Sequence, residues 1–171
     1  MTDLLTGSGL TALVLGFRRT AFRLETRDDY REAEEAEPLR RFLAGRPDYS
    51  WNDDWAELIA RRSAEGARMR RVRIVSEPHT DYTRFLLDLA RVNVAAGEDI
   101  RYLPRRSAER LGLPSEDFWL IDGETVAVLT FREDGAFRGA EIRTDRTAVA
   151  EYAAVERAAW AQALPLLDYT S

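Results

Sequence analysis

The sequence contains no cysteine and no lysine, and it has one histidine in 171 residues. Without cysteine the chain can form no disulfide, no thiolate metal site and no cysteine nucleophile. A single histidine, His79, also excludes a zinc or iron site built from several histidines of this chain. We therefore predict no metal site and no cofactor. The 25 basic residues are all arginines, which bind carboxylates and phosphates as planar donor groups but cannot form Schiff bases.

Long apolar runs are missing as well. The short apolar run at residues 10–15 is far below the roughly 18 residues needed to cross a bilayer, and no basic leader precedes it. These absences predict a cytoplasmic protein that does not contact membranes. With 45% hydrophobic and 32% charged residues, the chain is expected to form one domain over residues 1–171. In it, residues 1–68 pack on an α/β core at residues 69–171.

The net charge of −5 is unevenly distributed along the chain. Residues 25–57 contain eleven acidic residues and five arginines, whereas residues 61–73 contain six arginines and one glutamate. Opposite patches favour docking, either onto each other or onto a partner protein. Alternation with Met69, Val72 and Ile74 predicts that four arginines lie on the outer face of a strand or on its approach: Arg68, Arg70, Arg71 and Arg73. The overall acidity argues against direct binding of nucleic acid.

Apolar runs and turn residues predict a βαβ unit followed by an antiparallel meander. A strand at residues 72–75, a helix and a strand at residues 100–103 have the length of a right-handed parallel crossover. Two further apolar runs joined by Asp122 and Gly123 predict a hairpin, and a strand at residues 137–143 precedes a final helix. We therefore predict the α/β class, with a mixed sheet of about five strands flanked by helices.

The hairpin resembles the end of the catalytic motif in a phospholipase D-like half-domain. That motif is His-x-Lys, with an aspartate five residues after the lysine. Counting back from Asp122 places Asp117 at the lysine position and Ser115 at the histidine position. The motif's histidine attacks phosphorus and its lysine holds the phosphate oxygens. Because Ser115 and Asp117 can do neither, this route to phosphodiesterase activity is excluded. The alternative interpretation is that Asp122 only begins a tight turn.

His79 follows the carboxyl end of the first strand of the βαβ unit, where ligands bind in open α/β sheets. Glu77 and Asp81 flank it, and the three residues are candidate acid–base catalysts. The alternative is that Thr80 or Asp81 only caps the next helix while His79 packs in the loop.

Five residues are candidate ligand contacts: Arg84, Arg101, Arg105, Asp117 and Trp119. The ligand expected from the arginines is an anionic small molecule. Arg101 and Arg105 follow the second strand of the βαβ unit and are expected at the same sheet edge as His79, where they could clamp an anion. The alternative for this basic loop is pairing with the acidic N-terminal segment. The four tryptophans have core spacings, and the aromatic cluster at residues 49–52 has the position most favourable to exposure.

Two segments of the chain are especially specific: Pro-His-Thr-Asp-Tyr at residues 78–82 and Ala-Gly-Glu-Asp-Ile-Arg-Tyr-Leu-Pro at residues 96–104. Together with several other segments, they resemble a functionally uncharacterised family of small actinobacterial proteins. The resemblance covers residues 17–169. Members of this family are often encoded beside helix-turn-helix regulators, which implies a regulatory or partner-binding role and assigns no catalytic residue.

Three hypotheses for the function remain. The leading one is a non-enzymatic regulatory or partner-binding protein on a catalytically degenerate phospholipase D-like scaffold, acting with a transcriptional regulator. The second is a small enzyme, with biosynthetic or anionic-ligand chemistry, that uses His79 with Glu77 or Asp81 and an arginine clamp. The third is contact with nucleic acid through residues 61–73, which the acidic composition disfavours.

Overall fold

A mixed β-sheet forms the centre of the structure, a computed structural model that describes residues 3–171. In these residues the sheet has seven strands: β1 (Thr20–Glu25), β2 (Arg68–Val75), β3 (Asp99–Pro104), β4 (Asp117–Ile121), β5 (Thr125–Phe131), β6 (Phe137–Arg143) and β7 (Leu164–Pro165). Their spatial order is β6-β5-β4-β1-β2-β3-β7. The predicted α/β class is confirmed, but the sheet has two strands more than the expected number of about five.

The helices are α1 (Gly7–Leu15), α2 (Ala36–Leu43), α3 (Asp53–Ala64), α4 (Asp81–Ala96), α5 (Arg105–Arg110), α6 (Arg146–Gln162) and α7 (Leu166–Tyr169). Short 3₁₀ turns at Ala33–Glu35 and Ser50–Asn52 precede α2 and α3. The Thr80 hydroxyl caps α4 by accepting the Thr83 N–H at 3.0 Å, so the capping interpretation is confirmed for Thr80. Within residues 3–171, every helix is too short or too polar to cross a membrane.

The predicted βαβ unit and meander are both present. Strands β2 and β3 are parallel and joined by α4, and strands β4, β5 and β6 are successive antiparallel neighbours. The early strand β1 is not peripheral: it pairs in parallel with β2 and antiparallel with β4. Every residue of β1 after Thr20 is buried, because β1 has a strand on either side and helices above and below.

The two faces of the sheet are covered by different helices. On one face, Phe22, Leu24, Val72 and Phe118 pack with Tyr152 of α6 and further apolar side chains in an apolar core. We call this side the apolar face. The opposite face is covered by α1, α3 and α4, whose apolar side chains pack around the sheet. Charged residues of β1 and β2 lie on that opposite side.

Asp122 has a structural role at the β4–β5 turn. Its carboxylate accepts the backbone N–H groups of Arg19 at 2.7 Å, Thr20 at 3.0 Å and Arg18 at 3.1 Å. Burial opposes ionisation, but these backbone donors outweigh it and lower the pKa of Asp122. Asp122 itself has a positive φ of 54°, as the tight turn requires. The turn interpretation of Asp122 is confirmed, and the residue fastens the start of β1 to the hairpin.

Candidate functional site

His79 and Glu77 lie beside each other at the edge of the sheet, linked by a tyrosine from α7. The Tyr169 hydroxyl is 2.6 Å from Nε2 of His79 and donates to Glu77 Oε1 at 2.9 Å. Burial and the bond to Glu77 raise the pKa of Tyr169. Tyr169 had no signal in the sequence, because it comes from the last turn of the chain, 90 residues after His79.

Arg105 lies at the same edge and fastens the ends of two strands. Its Nε donates to Ser76 Oγ at 2.9 Å, and its Nη2 donates to the Thr26 carbonyl at 2.9 Å and lies 3.1 Å from Asp28 Oδ2. Glu77 and Arg105 line a cavity of about 180 Å³. That volume is below the roughly 300 to 1,000 Å³ of most small-molecule sites.

The other predicted site residues are dispersed. Asp81 and Arg84 pair with each other on the exposed side of α4. The Arg101 guanidinium lies 3.9 Å from the centre of the Trp160 ring, on the side of the sheet covered by α6. Asp117 is 2% exposed. The arginine clamp that the enzyme hypothesis requires therefore contains Arg105 without Arg101.

Asp117 belongs to a group of buried charges that the sequence did not reveal. The register of β1 and β2 places Arg23 beside Arg71 and Glu25 beside Arg73. These four side chains lie on the side of the sheet covered by α3 and α4, and we call that side the charged face. The prediction that Arg71 and Arg73 lie on an outer face is wrong, because buried carboxylates neutralise them there.

The charged face consists of bonded pairs. Glu25 accepts from Arg73 Nε at 2.8 Å and also from Arg71. Arg71 Nε donates to Glu98 at 2.7 Å, in the turn between α4 and β3.

A second arm of this network extends to β4. Arg23 Nη2 donates to Asp117 at 2.9 Å. The Tyr30 hydroxyl and the Thr26 hydroxyl donate to the same carboxylate, each at 2.6 Å. Three arginines and three carboxylates are thus buried together, and their formal charges cancel. One donor remains: Arg23 Nη1 is buried without a hydrogen-bond partner among the described residues, which is costly in a protein interior.

Glu25 is the centre of the network. Its burial opposes ionisation, but the attraction of Arg73, Arg71 and Arg23 outweighs burial and lowers the pKa of Glu25 to about 2. The Glu25 carboxylate therefore stays charged at any pH above this range, and the two arginines of β2 keep their partner.

A cavity of about 410 Å³ opens above the charged face. Its lining combines aromatic, amide, acidic and basic side chains: Glu32, Glu34, Glu35, Trp51, Asn52, Trp55, Arg71, Arg73, Leu89, Asn93 and Trp119. We call it the tryptophan cavity. Its volume is typical of small-molecule sites. A second cavity of about 330 Å³ adjoins it and shares Glu32 and Glu35.

The walls of the tryptophan cavity are held in place by hydrogen bonds. Trp55 Nε1 donates to Glu98 at 3.3 Å, and Asn52 Nδ2, in the turn before α3, donates to Asn93 Oδ1 of α4 at 2.7 Å. The Tyr82 hydroxyl donates to Glu35 at the mouth. Trp119 is the predicted ligand-binding residue that lines this cavity, and Trp51 comes from the aromatic cluster at residues 49–52.

The sequence carried only an ambiguous signal for the charged face. In β1, the charged residues Arg23 and Glu25 alternate with the apolar residues Phe22 and Leu24. This alternation fits a strand at the edge of a sheet as well as a strand at its centre. The pairing of β1 with both β2 and β4 shows that it is a central strand. Among residues 3–171, no three histidine, aspartate or glutamate side chains are grouped as a metal site.

The fold and this geometry define an α/β protein whose mixed sheet carries a tryptophan-walled cavity above buried ion pairs. Residues 8–171 match the model of a family described as a domain of unknown function, DUF6879, and the chain belongs to that family. The predicted membership of a family without an assigned function is confirmed. A search of curated proteins found no match to this chain.

Proposed function

We propose that this protein is a non-enzymatic regulatory protein that binds a ligand or partner in the tryptophan cavity. The observation that carries this proposal is the position of the cavity, directly above Arg71 and Arg73 of the buried network. Buried ion pairs contribute little to stability compared with apolar side chains of similar size. A charged layer below an open cavity is therefore better explained by recognition than by folding.

The scaffold fits the proposal of a catalytically degenerate phospholipase D-like half-domain. Asp122 is occupied by three backbone N–H groups, and Asp117 by Arg23, Thr26 and Tyr30. Neither carboxylate is available for phosphoryl chemistry. We further propose that the partner is a helix-turn-helix regulator encoded beside this protein in actinobacteria, as the family resemblance implies.

Complex formation tests the proposal. The protein and the neighbouring regulator are mixed, and the mass of the complex is measured by size-exclusion chromatography with light scattering. We expect a complex that Trp51→Ala in the cavity wall weakens. Leu167→Ala is the matched control, because Leu167 is an apolar side chain that is 76% exposed on α7. Absence of any complex, or an equal effect of both variants, would contradict the proposal.

A second candidate function rests on the link from His79 through Tyr169 to Glu77. A histidine held by a hydroxyl, at the sheet edge where Glu77 and Arg105 line a common cavity, is an arrangement suited to acid–base chemistry on an anion. The test is incubation of the protein with a metabolite extract, followed by mass spectrometry. An enzyme would deplete a metabolite that His79→Gln leaves unchanged. The regulatory proposal predicts identical extracts from both proteins.

A further inference from the structure

We infer that the tryptophan cavity selects an organic cation, a guanidinium or ammonium group such as that of an arginine or lysine side chain. This inference rests on the proposed function, because it names the chemistry of the ligand that the same cavity binds. It differs from the anionic ligand that the arginine-rich sequence suggests. Three observations support a cation: the negative charge at the mouth of the cavity, the tryptophan rings that line it, and the neutralised arginines of its floor.

The floor of the cavity offers no net positive charge. Arg71 and Arg73 line it, but their Nε groups already donate hydrogen bonds to Glu98 and Glu25, at 2.7 Å and 2.8 Å respectively. With Arg23 and Asp117 included, three positive and three negative charges cancel. An anion entering the cavity would meet guanidinium groups that are already neutralised, so it would gain little Coulombic energy.

The mouth of the cavity adds negative charge. Glu32, Glu34 and Glu35 all line it, and the first two are exposed. Within residues 3–171, none of the three forms an ion pair. Carboxylates of one sign around a concave surface concentrate field lines and attract a ligand of opposite charge.

The environment of Glu35 includes two neighbouring carboxylates. Burial is the main cause that raises the pKa of Glu35, and the nearby Glu25 and Glu32 carboxylates raise it further. The hydrogen bond from Tyr82 and the attraction of Arg73 oppose this shift without reversing it. A cation bound between the glutamates would relieve the repulsion among them.

Tryptophan is the best aromatic partner for a cation, and this molecule uses that contact repeatedly. The Arg23 and Arg71 guanidinium groups each lie 5.6 Å from the Trp119 ring centre. In contrast, among the described residues no guanidinium lies over Trp51 or Trp55. Two tryptophans that line the cavity therefore have no guanidinium of the described residues over their rings.

The four tryptophans make the test specific, because each indole N–H gives its own signal in a nitrogen-15 NMR spectrum. The probes are N-acetyl-L-arginine amide, its uncharged isostere N-acetyl-L-citrulline amide and the anion N-acetyl-L-glutamate amide. We expect the arginine probe to shift the signals of Trp51, Trp55 and Trp119. The signal of Trp160 is the internal control, since Arg70 and Arg101 cover its ring on the other side of the sheet. The citrulline probe should bind about tenfold more weakly.

A matched pair of variants tests the role of the glutamates. The double variant Glu32→Gln and Glu34→Gln removes two charges from the mouth and should weaken binding of the arginine probe about fivefold. The double variant Glu109→Gln and Glu151→Gln removes the same number of charges at exposed sites on α5 and α6, and it should leave binding unchanged. Equal weakening by both variants would mean that only the net charge of the protein matters, and the inference would be wrong.

The source of the cation is decided by a fourth probe, methylguanidinium. Binding as tight as that of the arginine probe indicates a free small cation, whereas clearly weaker binding indicates a side chain presented by a peptide. Equal binding of the arginine and citrulline probes, or tighter binding of the glutamate probe, overturns the inference while the cavity remains a binding site. If no probe shifts the three indole signals, the cation inference is wrong, and the light-scattering experiment separately decides the proposed function.

Discussion

The central strands of this protein bury opposite chemistry on their two faces. In β1, Phe22 and Leu24 enter the apolar face under α6, whereas Arg23 and Glu25 enter the charged face under α3 and α4. The apolar face gains stability from each area of surface that it removes from water. The charged face must first desolvate its ions, so its pairs at best balance that cost. The comparison teaches that the apolar side of these strands supplies stability, whereas the charged side is the one for which we propose recognition.

The largest expected effect comes from the apolar face. Phe118 is fully buried, and its ring centre lies 5.7 Å from that of Phe22 and 4.7 Å from that of Tyr152. Phe118→Ala should lower the free energy of unfolding by about 4 kcal/mol, measured by urea denaturation, because it leaves a cavity in a packed core. Leu167→Ala on the surface should change it by less than about 0.5 kcal/mol.

The comparison also predicts what Phe118→Ala leaves intact. The indole signals of Trp51 and Trp55 should keep their wild-type positions, since both residues lie on the other side of the sheet. Movement of these signals as large as that in a charged-face variant would show that the two sides are not independent.

A change at the centre of the charged face should have the next largest effect. Glu25→Gln leaves Arg71 and Arg73 buried without a full countercharge, and the loss of stability should be about 3 kcal/mol. Glu124→Gln is the control, because Glu124 forms an ion pair with Arg19 that is exposed on both sides. Exposed pairs contribute at most about 1 kcal/mol. A loss equal to that of the control would show that Glu25 has no special role.

Acid should weaken the charged face. The folded pKa of Glu25 is about 2, below its ordinary value of 4.5. Its contribution to stability is therefore complete above about pH 4.5 and is lost as the pH falls towards 2, a loss of about 3 kcal/mol. The measurement is urea denaturation between pH 6 and 2. The loss should be equally steep in Phe118→Ala and shallower in Glu25→Gln; identical slopes in all three proteins would contradict the assignment.

The smallest expected effects come from the helix caps, one on each side of the sheet. Asp145 caps α6 by accepting the Ala148 N–H at 2.9 Å, and Thr80 caps α4. Asp145→Ala and Thr80→Ala should each cost about 1 kcal/mol in thermal unfolding. Thr80 Oγ1 also donates to the Asp28 carbonyl at 3.2 Å. A cost from Thr80→Ala that clearly exceeds the cost from Asp145→Ala would show that α4 is the more dependent helix.

The local parts of the fold could be predicted from the sequence. The βαβ unit, the hairpin at Asp122 and the stop at Gly97 follow from apolar periodicity and turn chemistry. Gly97 has a φ of 114° in the left-handed region, which glycine adopts readily. In contrast, α5 was hidden in an arginine-rich loop, and β7 has only two residues, too few for any periodic signal.

The charged face could not be predicted, because its neutrality depends on contacts between distant parts of the chain. Alternation of arginine with apolar residues in β2 normally places arginine in water. Here Glu98 comes from 27 residues further along the chain to meet Arg71, and Glu25 comes from 48 residues before Arg73. The pairing of β1 with β2 is the step that brings these charges together, and no local pattern specifies it.

The position of β1 has a consequence for the order of events on the ribosome. β1 is synthesised early, but one of its two neighbours, β4, and the Asp122 clamp on Arg18 come about a hundred residues later. Until then, one edge of the strand has no partner, and an unpaired edge can bind other chains. The native arrangement also requires closure of a long loop, which slows folding. A nascent chain that stalls before the hairpin would therefore present the future centre of the sheet to its surroundings.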